Sequence, residues 1–206
     1  MKKICFFNKP ESYIIVAVSG IIAGLLVAFF SRFPSDDLWA FSLFSSSSLG
    51  FWFFTCSLIA LFSEKSYVAG INVSIYVFLM FYVTGIFKRL TIVIKGYNQM
   101  TYFYQGLWQE LAYGLIPAAV CFVLAFVLWF GRKNKPVFVL LRFAPALCIL
   151  TEAVLDWIVV AQRHRNLFMA LVETACAVVY LLIIFNTSEF AKKHTFKNRF
   201  TEENYV

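Results

Sequence analysis

Residues 13–31 read YIIVAVSGIIAGLLVAFFS, an apolar run without a single charged side chain. A helix that crosses the hydrocarbon of a bilayer needs about 20 such residues, and this stretch supplies them. Five further runs follow, at 43–62, 68–87, 110–130, 137–160 and 167–185, the second blurred at its start by Ser45 to Ser48. Short connections between apolar runs make sequential helices antiparallel neighbours. The reading is therefore all-α: a polytopic membrane protein, a six-transmembrane-helix bundle forming one domain over residues 1–206. The first run is long enough to span, and no small-x-small cleavage site follows a short apolar core, so it reads as a retained helix.

Composition agrees. The chain is 61% hydrophobic and 14% charged, against roughly 45–50% and 25% in soluble domains. Such a surplus must face an apolar medium, which makes the lipid bilayer the first partner. Aromatic residues reach 19%, including 25 Phe. Phe suits hydrocarbon, whereas Tyr and Trp favour the interface.

The net charge of +7 does not point to nucleic acid, because Lys and Arg lie between apolar runs rather than in one aromatic-interleaved patch. That placement orients helices by the positive-inside rule. One set of connections holds Lys2, Lys3, Lys9, Lys65, Arg132, Lys133, Lys135, Lys192, Lys193, Lys197 and Arg199. The alternate set, Arg32, Lys88, Arg89, Lys95, Arg163 and Arg165, is smaller. The larger set stays cytoplasmic, which gives N-in/C-in topology and a cytoplasmic tail at 186–206. Residues 88–109, rich in Tyr and Gln, read as a connection between the third and fourth spans.

Catalytic apparatus is missing. The chain has no G-x-S-x-G, H-E-x-x-H, P-loop or nucleotide-binding glycine pattern. His164 and His194 fall outside the spans, and the five cysteines are scattered without a C-x-x-C. The expectation is a non-enzyme with no cofactor and no metal site.

The informative residues are the ionisable ones in or near the spans: Glu110, Arg142, Glu152, Asp156 and Glu173. A charge at the bilayer centre costs at least about 2.5–3.5 kcal/mol, so each must face protein or water. Glu152 and Asp156 are four apart and share a helix face, about 6 Å apart along the axis. Counted from the span ends at about 1.5 Å per residue, they and Glu173 fall in one outer layer. Two readings compete for that layer. In one, the carboxylates join Trp157, Tyr104, Trp108 and Tyr102 in an outward pocket for a cationic or zwitterionic solute. In the other they pair with Arg163, Arg165 or a helix terminus and fix packing, and proton or metal-ion handling is a third use of such a cluster. Arg142 is expected to snorkel to the cytoplasmic headgroups.

On the first span, Gly20-x-x-x-Gly24 with Ser19 and Ala23 forms a smooth face that admits a close helix, either from this bundle or from another membrane protein. With six spans in about 200 residues and polar groups on the later helices, the chain resembles the substrate-binding S component of energy-coupling-factor vitamin transporters. The resemblance implies that Gly20, Gly24, Ser19 and Ala23 meet a transmembrane coupling subunit that works with ATPases. It further implies that the first outer loop is a lid and the later helices are walls, which adds Asp36 and Trp39 to Glu152, Asp156 and Glu173 as ligand contacts. On this reading the protein is a substrate-capture subunit in a prokaryotic plasma membrane, taking a small solute from outside for uptake with partner subunits. A non-catalytic accessory subunit of a larger membrane complex, or a small self-assembling ion- or proton-coupled carrier, is the alternative.

Overall fold

The computed structural model describes residues 10–35, 37–45, 49–96, 100–133 and 136–202. Within them every regular element is helical: α1 Pro10–Phe30, a 3-10 turn Phe41–Ser45, α2 Leu49–Phe62, α3 Ser66–Ile94, α4 Met100–Trp129, a second short 3-10 turn Phe130–Arg132, α5 Pro136–Arg163 and α6 Leu167–Glu202. Proline opens α1 and α5, where its missing N–H has no intrahelical partner to lose. Six helical segments are long and apolar enough to cross a membrane, the architecture of a multi-pass membrane protein.

Three boundaries differ from the sequence reading, one being the end of the sixth run at 185, past which α6 continues to Glu202. Most of residues 88–109 is not a connection: α3 runs on to Ile94 and α4 begins at Met100. At about 1.5 Å per residue both helices exceed the roughly 30 Å of hydrocarbon, and the end of α3 carries Lys88 and Arg89, with Lys95 as its C-cap. The second run is broken instead. Its apolar residues divide between the 3-10 turn and α2, a helix of 14 residues.

α3 packs between α1 and α4, and α5 pairs with α6. α2 touches α3 and α4 on one side and α5 and α6 on the other, so it is the seam of the bundle. Val16, Ile59, Ala69, Val73, Tyr76 and Met80 fill the core of the first half, while Ile149, Ala177, Tyr180 and Ile184 fill the second. The end of the bundle opposite Pro10, here called distal, carries the turns that join α1 to α2, α3 to α4 and α5 to α6.

At the proximal end the carbonyl of the fully buried Ser63 accepts the indole N–H of Trp129 at 3.0 Å and a guanidinium N–H of Arg132. Arg142, expected to snorkel, has a partner within the bundle. It is half-buried, and its Nε donates to the Gly131 carbonyl at 3.0 Å.

The small-residue face of α1 is occupied by α3. A Cβ built on Gly20 would lie 2.7 Å from the Tyr76 carbonyl oxygen, and one on Gly24 would lie 2.7 Å from that of Met80. Ala23 is buried beside them, and the Ser19 hydroxyl donates to its own helix at Ile15 O. Docking of a foreign helix needed this face unfilled, and at Gly20, Ala23 and Gly24 it is filled. Thr84 Oγ1, within reach of Gly24 O at 3.1 Å, adds a polar tie to the same contact. Gly24→Ala is accordingly expected to lower stability by about 1–3 kcal/mol, as overpacking does, read as an earlier midpoint in detergent unfolding of the purified protein. An unchanged midpoint would mean that α1 does not pack this way.

Candidate functional site

Polar groups gather at the distal end in two places, separated by α2. The first is a buried layer on α5, α6 and the start of α2. Glu173 has no solvent exposure, and Asp156 and Asn166 keep only 7% and 8%. Glu173 Oε1 accepts the backbone N–H of Gly50 at 3.3 Å, one of the orphan donors at the start of α2. The carboxylate thus caps α2 from another helix, where the positive end of the helix dipole favours it. Glycine is what the contact requires, since a Cβ at position 50 would crowd the Glu173 carboxyl at 2.9–3.2 Å.

Asp156 Oδ1 accepts from Asn166 Nδ2 at 3.3 Å. Asn166 closes the tight α5–α6 turn in the left-handed region, φ 72°, which Asn tolerates better than most residues. The same register is held next door by Trp157 Nε1 donating to Thr174 Oγ1 at 2.9 Å. Glu152 is half-buried one turn below Asp156. Among the described residues neither Asp156 nor Glu173 makes an ion pair, so pairing with Arg163 or Arg165 is not what holds them.

The second place is the α3–α4 contact. Arg89 Nε and Glu110 Oε1 form an ion pair at 2.7 Å, and Arg89 Nη2 also donates to Gln109 Oε1 at 2.9 Å. Each long side chain lies over a glycine of the facing helix: Glu110 over Gly85, and Arg89 over Gly106, where a Cβ would overlap them. The reciprocal spacing Gly85-x-x-x-Arg89 and Gly106-x-x-x-Glu110 puts each glycine on the face that carries its neighbour's charge. This lock was readable in the sequence as two glycine-to-charge repeats of opposite sign. The polar composition of residues 88–109 masks it by suggesting a connection where two helices run.

Beside the lock lies a cavity of about 330 Å³ between α1, α2, α3 and α4. Its apolar lining is Val27, Trp52, Met80, Phe81 and Ile92; its polar lining is Thr84, Lys88, Arg89 and Glu110, with Gly85. Glu110 therefore separates from the other carboxylates and belongs to this cavity.

Above the buried layer sits an aromatic cluster. Phe168 meets Phe41 at 4.8 Å and Phe30 at 5.2 Å between ring centroids, and Phe44 meets Phe51 at 5.2 Å. Trp39 stacks flat on Phe41 with its outer face exposed. The Leu38 carbonyl accepts the Leu167 N–H at 3.1 Å, tying the first distal turn to α6.

The expected pocket is therefore not assembled as read. Tyr104 and Trp108 are 60% and 75% exposed and face away from the bundle. Asp36 and the side chain of Tyr102 lie outside the described residues. Trp157 stands beside the buried layer, whereas Lys88, Thr84 and Trp52, which line the cavity, carry no signal of their own in the sequence. Comparison with protein-family models, with curated proteins and with solved structures yields no match.

The lock sets an expectation for mutation. Truncating Arg89 or Glu110 to Ala alone leaves the partner uncompensated and should cost up to about 3–5 kcal/mol, while Arg89→Met with Glu110→Leu should recover much of the loss. A double-mutant cycle by thermal unfolding measures this coupling; purely additive losses would deny the pair a joint role.

Proposed function

We propose that this chain is a substrate-capture subunit of a prokaryotic plasma membrane that binds a small zwitterionic solute in the distal cavity, for uptake with partner subunits. Both termini are cytoplasmic in this reading, and the distal end faces outside. One observation carries it: the cavity beside the α3–α4 lock brings both signs of charge together with aromatic and aliphatic side chains. Ligand sites are typically concave and mostly apolar, with a few converging polar groups, and about 330 Å³ falls at the small end of their range. Lys88 is exposed at the rim, free to meet an anionic group. Glu110 offers its second oxygen to an ammonium group, the first being held by Arg89. Trp52 and Phe81 add ring faces that favour a positive charge.

The internal pairing of Glu110 with Arg89 also favours a second reading, a non-catalytic accessory subunit of a larger membrane complex, in which the lock is purely structural. Where a partner would dock is then a matter for surfaces other than Gly20 and Gly24, which α3 covers.

The purified protein, heated in detergent with free amino acids, betaines, simple amines and simple carboxylates, separates these readings. A bound zwitterion present at 100 times its Kd stabilises the fold by about 2.7 kcal/mol, a shift that amines and carboxylates do not reproduce. Lys88→Ala should weaken that shift without moving the ligand-free midpoint, because Lys88 is exposed. A panel without effect on the midpoint would reject solute capture and leave the accessory role.

A further inference from the structure

Within the buried distal layer three acceptor oxygens have no donor: Oδ2 of Asp156, Oδ1 of Asn166 and Oε2 of Glu173. We propose that Asp156, Asn166 and Glu173 form a binding site for a hard monovalent cation of the sodium class, between α5, α6 and the first turn of α2. The inference is independent of the solute cavity, which lies on the other side of α2.

Buried polar atoms in folded proteins are almost always satisfied, and those that are not point to an ion or a water. Here the three residues lie on the paired helices α5 and α6 and the turn between them. Asn166 aims its amide at Asp156, donating from Nδ2 at 3.3 Å, and leaves its carbonyl oxygen without a partner although the residue is 8% exposed. Asp156 and Glu173 are the chain neighbours of Trp157 and Thr174, which are joined at 2.9 Å across the same pair of helices. Two carboxylates side by side in an apolar interior call for positive charge. Among the described residues no Lys, Arg or His supplies it as an ion pair.

Charge and ligand number select the class of ion. The N-terminus of α2 already brings about half a positive charge to Glu173, through the Gly50 N–H at 3.3 Å. One further unit charge offsets most of the remainder. Calcium takes 6–8 oxygens, more than two carboxylates and one amide hold between them. No group of three or more His, Cys, Asp or Glu suited to a metal occurs among the described residues. Oxygen donors alone, with neither thiolate nor imidazole, suit a hard ion.

An ion held there would tie three elements at once: α2 through Glu173 and Gly50, α5 through Asp156, and the start of α6 through Asn166. The aromatic cluster and the Leu38–Leu167 hydrogen bond close over them.

The test uses the full-length protein in detergent at fixed pH and ionic strength, unfolded by heat in sodium, potassium, lithium or choline chloride. Sodium should raise the midpoint by several degrees and saturate, while choline leaves it unchanged. Asp156→Asn and Glu173→Gln should each abolish the sodium-specific rise, and Glu152→Gln should keep it. Should either variant fail to fold, line broadening in sodium-23 NMR, reversed by lithium and not by choline, tests the wild type directly. Equal midpoints in all four salts, a rise that survives both substitutions, or a midpoint set by pH alone would overturn the site.

Discussion

A helix that begins inside a bilayer must find partners for its first N–H groups, because lipid offers none. α2 is that helix. With 14 residues it measures about 21 Å by rise, short of the roughly 30 Å of hydrocarbon. The Gly50 N–H is met by Glu173, a carboxylate without solvent exposure. The contact fixes α6 against α2 at one height, and the Trp157–Thr174 hydrogen bond one residue along carries the register on to α5. α2 also borders α3 and α4, so the cap sets the position of the seam on which both halves of the bundle rest. A substitution at Gly50 would press a side chain into the carboxyl that satisfies it.

Glycine recurs wherever a polar or backbone contact has to be close. Gly20 and Gly24 admit the carbonyls of Tyr76 and Met80, Gly85 and Gly106 give room to Glu110 and Arg89, and Gly131 lets the backbone of Arg142 approach. In lipid there is little hydrophobic drive for helices to meet, since the tails are as apolar as the side chains. Close backbone packing and interhelical polar contacts supply the attraction instead. The tight α1–α3–α4 contacts follow from two such glycine sets, one facing α1 and the other shared between α3 and α4.

Much of this was legible in the residues, and the limits have physical causes. Apolar length alone located six spans, because the bilayer thickness imposes it. The common height of Asp156 and Glu173 followed from rise per residue, and the two do share a buried layer. Helix ends were not legible where α3 and α4 extend past the hydrocarbon: there Tyr, Gln and Lys satisfy water and helix alike, and composition ceases to discriminate. The cavity was not legible either. Its lining comes from four helices, and only their packing brings Val27 and Trp52 to the side of Lys88 and Glu110. Trp108 and Tyr104 misled for the opposite reason, since an aromatic ring near an interface serves lipid as readily as a ligand.

The excess of phenylalanine and the scarcity of charge belong to one arrangement. Phe30, Phe41, Phe44 and Phe168 form a connected cluster at the distal end, most of their rings tilted against one another, and such packed rings leave little room for water. Beneath that cover the local dielectric is low, which strengthens every satisfied polar contact and makes every unsatisfied one more costly. The cap on α2 is strengthened by this, and the unpartnered oxygens of Asp156, Asn166 and Glu173 are made more demanding by it. On the other side of α2 the cover ends: Lys88 reaches solvent and the cavity opens beside it. The short helix thus divides a sealed polar layer from one that is open at Lys88.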